Sequence, residues 1–229
     1  MADITIRRHQ PIFDPASARH PIHIVGCGAT GSRVFAALVE LGCTDIHCYD
    51  FDNVEDHNLA NQAFFADHVG KPKVEACADW YTRKTGCPPP KSMTFNNTRL
   101  PNPTFGDLDG YMFLLTDTME SRREIYDACI YGNPLLDGVI ETRMASTHGN
   151  ILFFNPQDDE KSKAWVATLI DDGEAELSPC GQPMSVGTTA SIIANLAVMQ
   201  YMWAVVDPAA VTPKLDIYLK PFMSSEGKL

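Results

Sequence analysis

The sequence lacks the features that mark several classes of protein. Its seven cysteines are an odd number at irregular spacing and form no Cys-x-x-Cys pair, so neither a disulfide framework nor a four-cysteine zinc site is expected. No apolar run approaches the roughly 20 residues that span a bilayer. The basic residues near the N-terminus are not followed by the apolar stretch of a signal peptide. We therefore expect a reduced, cytoplasmic protein without a membrane partner.

Basic residues are also scarce. The chain has 18 Lys and Arg against 29 Asp and Glu, which gives a formal net charge of −11. A surface of this sign repels a phosphate backbone, so a nucleic-acid partner is not expected. With 229 residues, 45% of them hydrophobic, the chain suits one globular domain with a sizeable core. We expect a polar arm over residues 1–20 and a single domain over residues 21–229.

Apolar patterns alternate between strands and helices through the first two thirds of the chain. Predicted strands lie at 22–25, 46–49, 94–95, 111–115 and 135–140, and predicted helices lie at 30–41, 73–85 and 121–131. This order predicts an α/β fold, with a Rossmann-like, mostly parallel sheet and helices on both faces.

The pattern changes after residue 150. The sequence predicts antiparallel strands at 151–154 and 165–170, then an acidic loop at about 171–185. An apolar helix at 186–206 and a last strand at 215–219 follow. The helix repeats its apolar residues at helical spacing, which predicts a face packed in the core or, for some of them, a dimer interface.

A glycine-rich turn is the strongest single motif. Gly26, Gly28 and Gly31 form a G-x-G-x-x-G pattern between a predicted strand and a predicted helix. Such glycines permit a tight turn and close approach of the backbone to phosphates at a helix N-terminus. Asp50 ends the next strand, where a carboxylate can bind a ribose hydroxyl. These features predict a nucleotide site, and by themselves they leave an NAD-dependent oxidoreductase open.

The stretch that follows is more specific. It comprises Asp50-Phe51-Asp52-Asn53-Val54, then Asn58-Leu59-Ala60-Asn61-Gln62, Gly70-Lys71-Pro72-Lys73, and Thr116-Asp117-Thr118 with Arg122. Over about residues 20–206 the chain resembles the ThiF/MoeB/HesA family of ubiquitin-activating-type adenylating enzymes. A nicotinamide-dependent dehydrogenase has no reason to keep this string.

The resemblance implies ATP-dependent adenylation of the C-terminal carboxylate of a ubiquitin-like or sulfur-carrier protein. It implies that Gly26, Gly28 and Gly31 hold the nucleotide, while Asp50 binds its ribose. Lys73 would face the phosphates, with Lys71 a neighbouring candidate, and Asp52 would lie in the same nucleotide site. Asn58 would help fix the loop or contact phosphate, and Asp117 would bind Mg²⁺. From the residues alone, Lys73 could instead be a solvated lysine and Asp117 a helix N-cap. Arg122 is expected to form ion pairs within the fold.

One position departs from the family pattern. Asn61 stands where the family has an arginine that is expected to contact phosphate. Arg33 could supply the charge, or Arg7 and Arg8 could supply it from the partner subunit of a homodimer, as the resemblance implies. A nucleotide-binding partner protein with weakened catalysis also remains open.

A second question concerns Cys180, in the loop before the last helix. The family carries a cysteine near this place that can accept the acyl group as a thioester, so Cys180 is a candidate nucleophile. A loop cysteine without a role is the alternative. Cys27 and Cys129 are predicted to be packing residues.

Overall fold

A computed structural model describes residues 4–105, 108–169 and 185–228, and these residues build one mixed sheet. Its strands are β1 Ile22–Val25, β2 Ile46–Asp50, β3 Thr94–Asn97, β4 Gly110–Leu114, β5 Leu136–Met144, β6 His148–Phe154, β7 Lys214–Leu219 and β8 Phe222–Gly227. The helices are α1 Ala29–Glu40, α2 Lys73–Thr85, α3 Met119–Ile125, α4 Asp159–Val166 and α5 Gly187–Val206. A π-helical turn, Tyr126–Ile130, continues α3.

The sheet has the order β3-β2-β1-β4-β5-β6-β7-β8. Neighbours from β3 to β5 run parallel, and neighbours from β5 to β8 run antiparallel. Val25 is aligned with Tyr49 on one side and with Leu114 on the other, so β1, β2 and β4 end at a common edge. This architecture confirms the predicted fold class, and the common edge is where doubly wound folds bind ligands.

Helices cover both faces of the sheet. The larger core lies under α1, α2 and α5, and it contains Phe35, Val74 and Ile193. The smaller core lies under α3 and α4, where Trp165 stacks on Phe154 with ring centroids 5.0 Å apart. The helices α1, α2 and α5, which the sequence predicts, therefore bury apolar residues in the larger core.

One helix is long and apolar enough to span a membrane, although no such segment was expected from the sequence. This helix is α5, with 20 residues, and half of its apolar window is buried inside the fold. It packs on α1 and β5. Ile192, Met199 and Val206 remain exposed along it. A dimer interface on this helix stays a prediction.

The prediction of a strand at 165–170 is wrong. Trp165 and Val166 belong to α4, which begins after Asp158. The Asp158 carboxylate accepts a hydrogen bond from the Lys161 backbone N–H at 3.1 Å, which caps the helix. The β-branched and aromatic residues at the end of α4 favoured a strand, but the capped helix buries the Trp165 side chain completely.

The last predicted strand, β7, does not close the sheet. β8 follows it and pairs with it in antiparallel register, with Leu219 aligned to Phe222.

The N-terminal arm packs on the domain, because Phe13 is fully buried against Tyr201 with ring centroids 6.0 Å apart.

Candidate active site

The glycine turn joins β1 to α1 and is held in place from two sides. Gly26 has a φ of +95°, and a Cβ there would lie 2.8 Å from the Leu115 carbonyl oxygen. A Cβ on Gly31 would lie only 1.8 Å from the Gly26 carbonyl oxygen. A Cβ on Gly28 would meet nothing within 4 Å. Two of the glycines are therefore required by the fold, and the third leaves open space at the N-terminus of α1, where unpaired N–H groups attract an anion.

Asp50 ties the end of β2 to this turn. One carboxylate oxygen accepts the backbone N–H of Cys27 at 2.6 Å, and the other accepts that of Asp52 at 2.8 Å. Burial raises the pKa of Asp50, although the nearby charge of Lys73 and the two N–H donors oppose the shift. Each oxygen keeps a second lone pair, so the carboxylate can still accept a hydrogen bond from a ribose hydroxyl.

Lys73 is not a solvated lysine. It begins α2, only 8% of the residue is exposed, and its Nζ lies 2.7 Å from the Asp52 carboxylate. The backbone brings the pair together, because the Lys73 N–H donates to the Asp52 carbonyl at 2.9 Å. Burial lowers the pKa of Lys73, but Asp50 and Asp52 outweigh it and the net shift is upward. Lys73 is thus held as a cation beside the glycine turn.

Asp117 follows β4 and is exposed at the same edge of the sheet. The alternative that it caps the next helix is wrong, because Thr118 is the N-cap of α3 and its hydroxyl accepts the Ser121 N–H at 3.1 Å. The Leu115 N–H donates to the Val25 carbonyl at 2.8 Å, which joins the Asp117 loop to the start of the glycine turn.

The loop after β2 is built around Asn58. This side chain is buried, and its Oδ1 accepts the backbone N–H of Glu55 at 3.0 Å, so Asn58 stabilises the loop from within. Asn61 ends the same short helical segment, and its carbonyl accepts a hydrogen bond from Arg33 Nε at 3.3 Å. The Ser32 hydroxyl accepts the Ala63 N–H at 3.0 Å, which also holds the loop against α1.

Arg33 carries positive charge to this region. It projects from α1 towards Gly187, where an added Cβ would lie 3.2 Å from Arg33 Nη2. In the part of the chain that the structure describes, no carboxylate lies within ion-pairing distance of it. Burial lowers the pKa of Arg33, as expected for a guanidinium without a counter-ion.

A buried ionic cluster that was not predicted from the sequence lies behind the Asp117 loop. Glu141, inside β5, is fully buried and accepts hydrogen bonds from Arg143 Nε at 3.0 and 3.1 Å. Arg122 Nε lies 3.1 Å from Glu141 Oε1, and Arg122 Nη2 donates to the Thr116 carbonyl at 2.6 Å. This confirms Arg122 as an ion-pairing residue, and it also shows that Arg122 fixes the backbone next to Asp117. The sequence feature that could have indicated the cluster is Glu141, a charged residue directly after the apolar run that predicts β5.

The structure thus brings Gly26, Gly28, Gly31, Asp50, Asp52, Lys73 and Asp117 to one edge of the sheet, with Asn58 and Asn61 in the adjoining loop. Arg7 and Arg8 are exposed in the arm. Cys180 lies outside the described residues. Cys27 is fully buried, in keeping with a packing role, and Cys129 is partly exposed.

Comparison with known proteins decides the family. The sequence model of the ThiF family matches residues 17–224. The chain belongs to the ThiF family. No curated protein sequence matches this ThiF-family chain.

Solved structures share the fold. Selenomethionine PaaA superposes with a TM-score of 0.72 at 18% identity, over 97% of this chain and 68% of PaaA. E. coli MccB with ATP gives 0.69 at 16% identity, over 93% of this chain and 65% of MccB. The microcin C7 biosynthetic enzyme MccB with N-formylated MccA gives 0.71 at 16% identity, over 93% and 66%. The ThiF-family chain therefore spans about two thirds of the length of these proteins.

Proposed function

We propose that this ThiF-family protein adenylates a carboxylate: the carboxylate attacks the α-phosphate of ATP, and pyrophosphate leaves. The observation that carries the proposal is the meeting of an open helix N-terminus at Gly28, the buried cation Lys73 and the exposed carboxylate Asp117 at one sheet edge. Joining two anions needs positioning and positive charge more than covalent help from the protein.

Different residues would bind different parts of the nucleotide. The first turn of α1 would bind phosphate oxygens through backbone N–H groups, while Asp50 would bind the ribose. Lys73 would offset negative charge on the phosphates, and its pairing with Asp52 keeps it in place before the nucleotide arrives. Arg33 would add a second cation on the side of the Asn61 loop.

Asp117 suits a magnesium ion. Its carboxylate is exposed at the end of β4, and Mg²⁺ prefers one or two carboxylates together with retained waters and substrate phosphates. When bound, the ion would neutralise charge on the phosphates. Arg122 would keep the Asp117 loop in place through the Thr116 carbonyl.

For the acyl substrate we propose the C-terminal carboxylate of a polypeptide. MccB has been solved with ATP and, in another structure, with AMPCPP and MccA, which supports a polypeptide substrate beside the nucleotide. The resemblance favours a ubiquitin-like or sulfur-carrier protein with a glycine tail, a homodimeric enzyme, and action in the cytoplasm. Cys180 would accept the acyl group from the adenylate as a thioester, with AMP as the leaving group.

The first test is calorimetric titration with ATP and Mg²⁺, with NAD⁺ as the control ligand. Asp117→Ala should weaken the binding, and Asp127→Ala, which removes an exposed carboxylate in the π-helical turn after α3, should not. Binding of NAD⁺ in place of ATP would refute the proposal. Pyrophosphate release that needs a peptide with a free C-terminal glycine, and not its amide, would establish the acyl substrate.

The thioester has its own test. Cys180→Ser should convert a thiol-labile conjugate into an alkali-labile one, and a thiol-labile adduct that persists in this variant would refute the role of Cys180.

A second candidate function is a nucleotide-binding partner without catalysis. Asn61 favours it, because an amide supplies no charge to the phosphates. ATP binding without pyrophosphate release, over a panel of carboxylate-bearing peptides and proteins, would support this candidate.

A further inference from the structure

Three cysteines meet directly beneath the glycine turn. Cys27 lies in the turn, Cys48 in β2 and Cys77 in α2, and none is more than 1% exposed. Their Sγ atoms all lie within 4.8 Å of one another, and the described residues contain no other such group of ligating side chains. The proposed adenylation uses none of these thiols, so their convergence needs a separate explanation.

The spacing of the sulfurs suits one central atom. An atom bonded to three sulfurs at about 2.3 Å holds them about 4.0 Å apart when it lies in their plane, and about 3.5 Å apart when a lone pair makes the site a pyramid, as in trivalent arsenic. The observed separations of at most 4.8 Å therefore need to shrink by up to about 1.3 Å. The three side chains come from a turn, a strand and a helix, so they form the site only when the chain is folded.

Charge decides which atom fits. The cluster lies in the larger apolar core. Among the described residues, the charge of Asp50 acts on all three thiols, and Lys73 interacts with Cys27. Burial raises the pKa of Cys48 well above its usual range, and the charge of Asp50 acts in the same direction, so this thiol stays neutral. Three thiolates around Zn²⁺ leave one buried negative charge, and around Cu⁺ they leave two, which a dry site beside Asp50 disfavours.

We propose that Cys27, Cys48 and Cys77 form a binding site for trivalent arsenic, which reaches it as neutral arsenous acid. Three As–O bonds and three S–H bonds break, three As–S bonds form, and three water molecules leave. Nothing is oxidised or reduced, and the product carries no charge. The reaction therefore suits thiols that are both buried and protonated.

Binding at this site acts on the turn above it. The Cys27 backbone N–H is bonded to Asp50, and its neighbour Gly26 lies against the Leu115 carbonyl. Drawing Cys27 Sγ towards its two partners therefore distorts a turn that has no free space on that side. If the proposed function holds, arsenic bound here lowers the affinity for ATP.

The test is intact-protein mass spectrometry of the full chain after prolonged incubation with arsenite. The expected adduct gains one arsenic atom and loses three hydrogens. Cys48→Val should abolish this adduct, and Cys43→Ala, which removes another buried cysteine, should retain it. Circular dichroism would verify that both variants fold, and Cys77→Ser provides a second variant should the first fail to fold.

Several outcomes would overturn the site: no adduct on the folded protein, a three-sulfur adduct that survives in Cys48→Val, or tighter binding of Zn²⁺ or Cu⁺ than of arsenite. A rise in melting temperature with arsenite, absent in Cys48→Val, would support it, because a ligand of the folded state stabilises that state. These results involve no nucleotide. A failure of ATP to bind the untreated protein would thus refute the proposed function alone.

Discussion

Replacing Gly28 with alanine separates the binding role of the glycine turn from its folding role. A Cβ at Gly28 meets no atom within 4 Å, whereas a Cβ at Gly31 lies 1.8 Å from the Gly26 carbonyl oxygen. Gly28 is the N-cap of α1 with a φ of −77° and a ψ of −144°, and this ψ lies outside the ranges that alanine prefers, so alanine there carries some backbone strain. Because no atom blocks the methyl group, we still expect Gly28→Ala to fold and to place that group in the space that a phosphate would occupy.

The expected magnitudes differ between the two variants. Alanine is a poor N-cap and is strained at this ψ, so Gly28→Ala should lower the free energy of unfolding by about 1–2 kcal/mol. Loss of one hydrogen bond to a charged phosphate, at about 1.5–3 kcal/mol, corresponds to roughly 10- to 150-fold weaker ATP binding. Gly31→Ala should instead cost about 3 kcal/mol or more in stability, because backbone atoms must move to make room for the methyl group.

Urea unfolding followed by tryptophan fluorescence would measure stability, and calorimetry with ATP and Mg²⁺ would measure affinity. Unchanged ATP affinity in a folded Gly28→Ala protein would refute the assignment of phosphates to this turn. Wild-type stability of Gly31→Ala would refute the packing argument.

Three further predictions concern neighbouring charges. Arg33→Ala should weaken ATP binding about tenfold with little loss of stability, and an unchanged dissociation constant would count against Arg33 as a phosphate ligand. Burial raises the pKa of Asp50, so the folded chain holds that proton more tightly than the unfolded chain. As the pH rises above about 4, the free energy of unfolding of the wild type should therefore fall relative to that of Asp50→Asn, measured by urea titration at each pH. Parallel curves of unfolding free energy against pH for the two proteins would contradict this. Glu141→Gln leaves Arg122 and Arg143 without their buried counter-charge, and we expect a loss of about 3–5 kcal/mol by urea unfolding; a loss below about 1 kcal/mol would contradict it.

The parallel half of the sheet could be predicted because its signals are local. α2 runs from Lys73 to Thr85 as predicted, since Pro72 precedes it and Gly86, with a φ of +74°, ends it. The antiparallel half was less predictable. The stretch from Trp165 favours a strand by composition, and only the cap at Asp158 and the burial of the indole show that the helix extends to Val166.

The candidate site, like the fold, could be predicted from the sequence only in part. The glycine turn and the carboxylates at strand ends follow motifs that the sequence displays. The pairing of Lys73 with Asp52 and the contact of Asp50 with the Cys27 N–H depend on how the loops fold back. No periodic sequence pattern predicts these two contacts. The thiol cluster was equally invisible, because its members lie on three separate elements.

The position of Arg33 changes how Asn61 should be understood. The charge of Lys73 is partly offset by Asp52, and the whole chain carries a net charge of −11, so phosphate binding depends on the few cations near the turn. Arg33 Nε is held by the Asn61 carbonyl itself, which puts a guanidinium beside the residue that lacks one. We therefore expect Asn61→Arg to change ATP affinity little in the wild type, because the two guanidinium groups would repel each other, and to restore affinity in Arg33→Ala. Equal tightening in both backgrounds would show that Arg33 does not supply the missing charge.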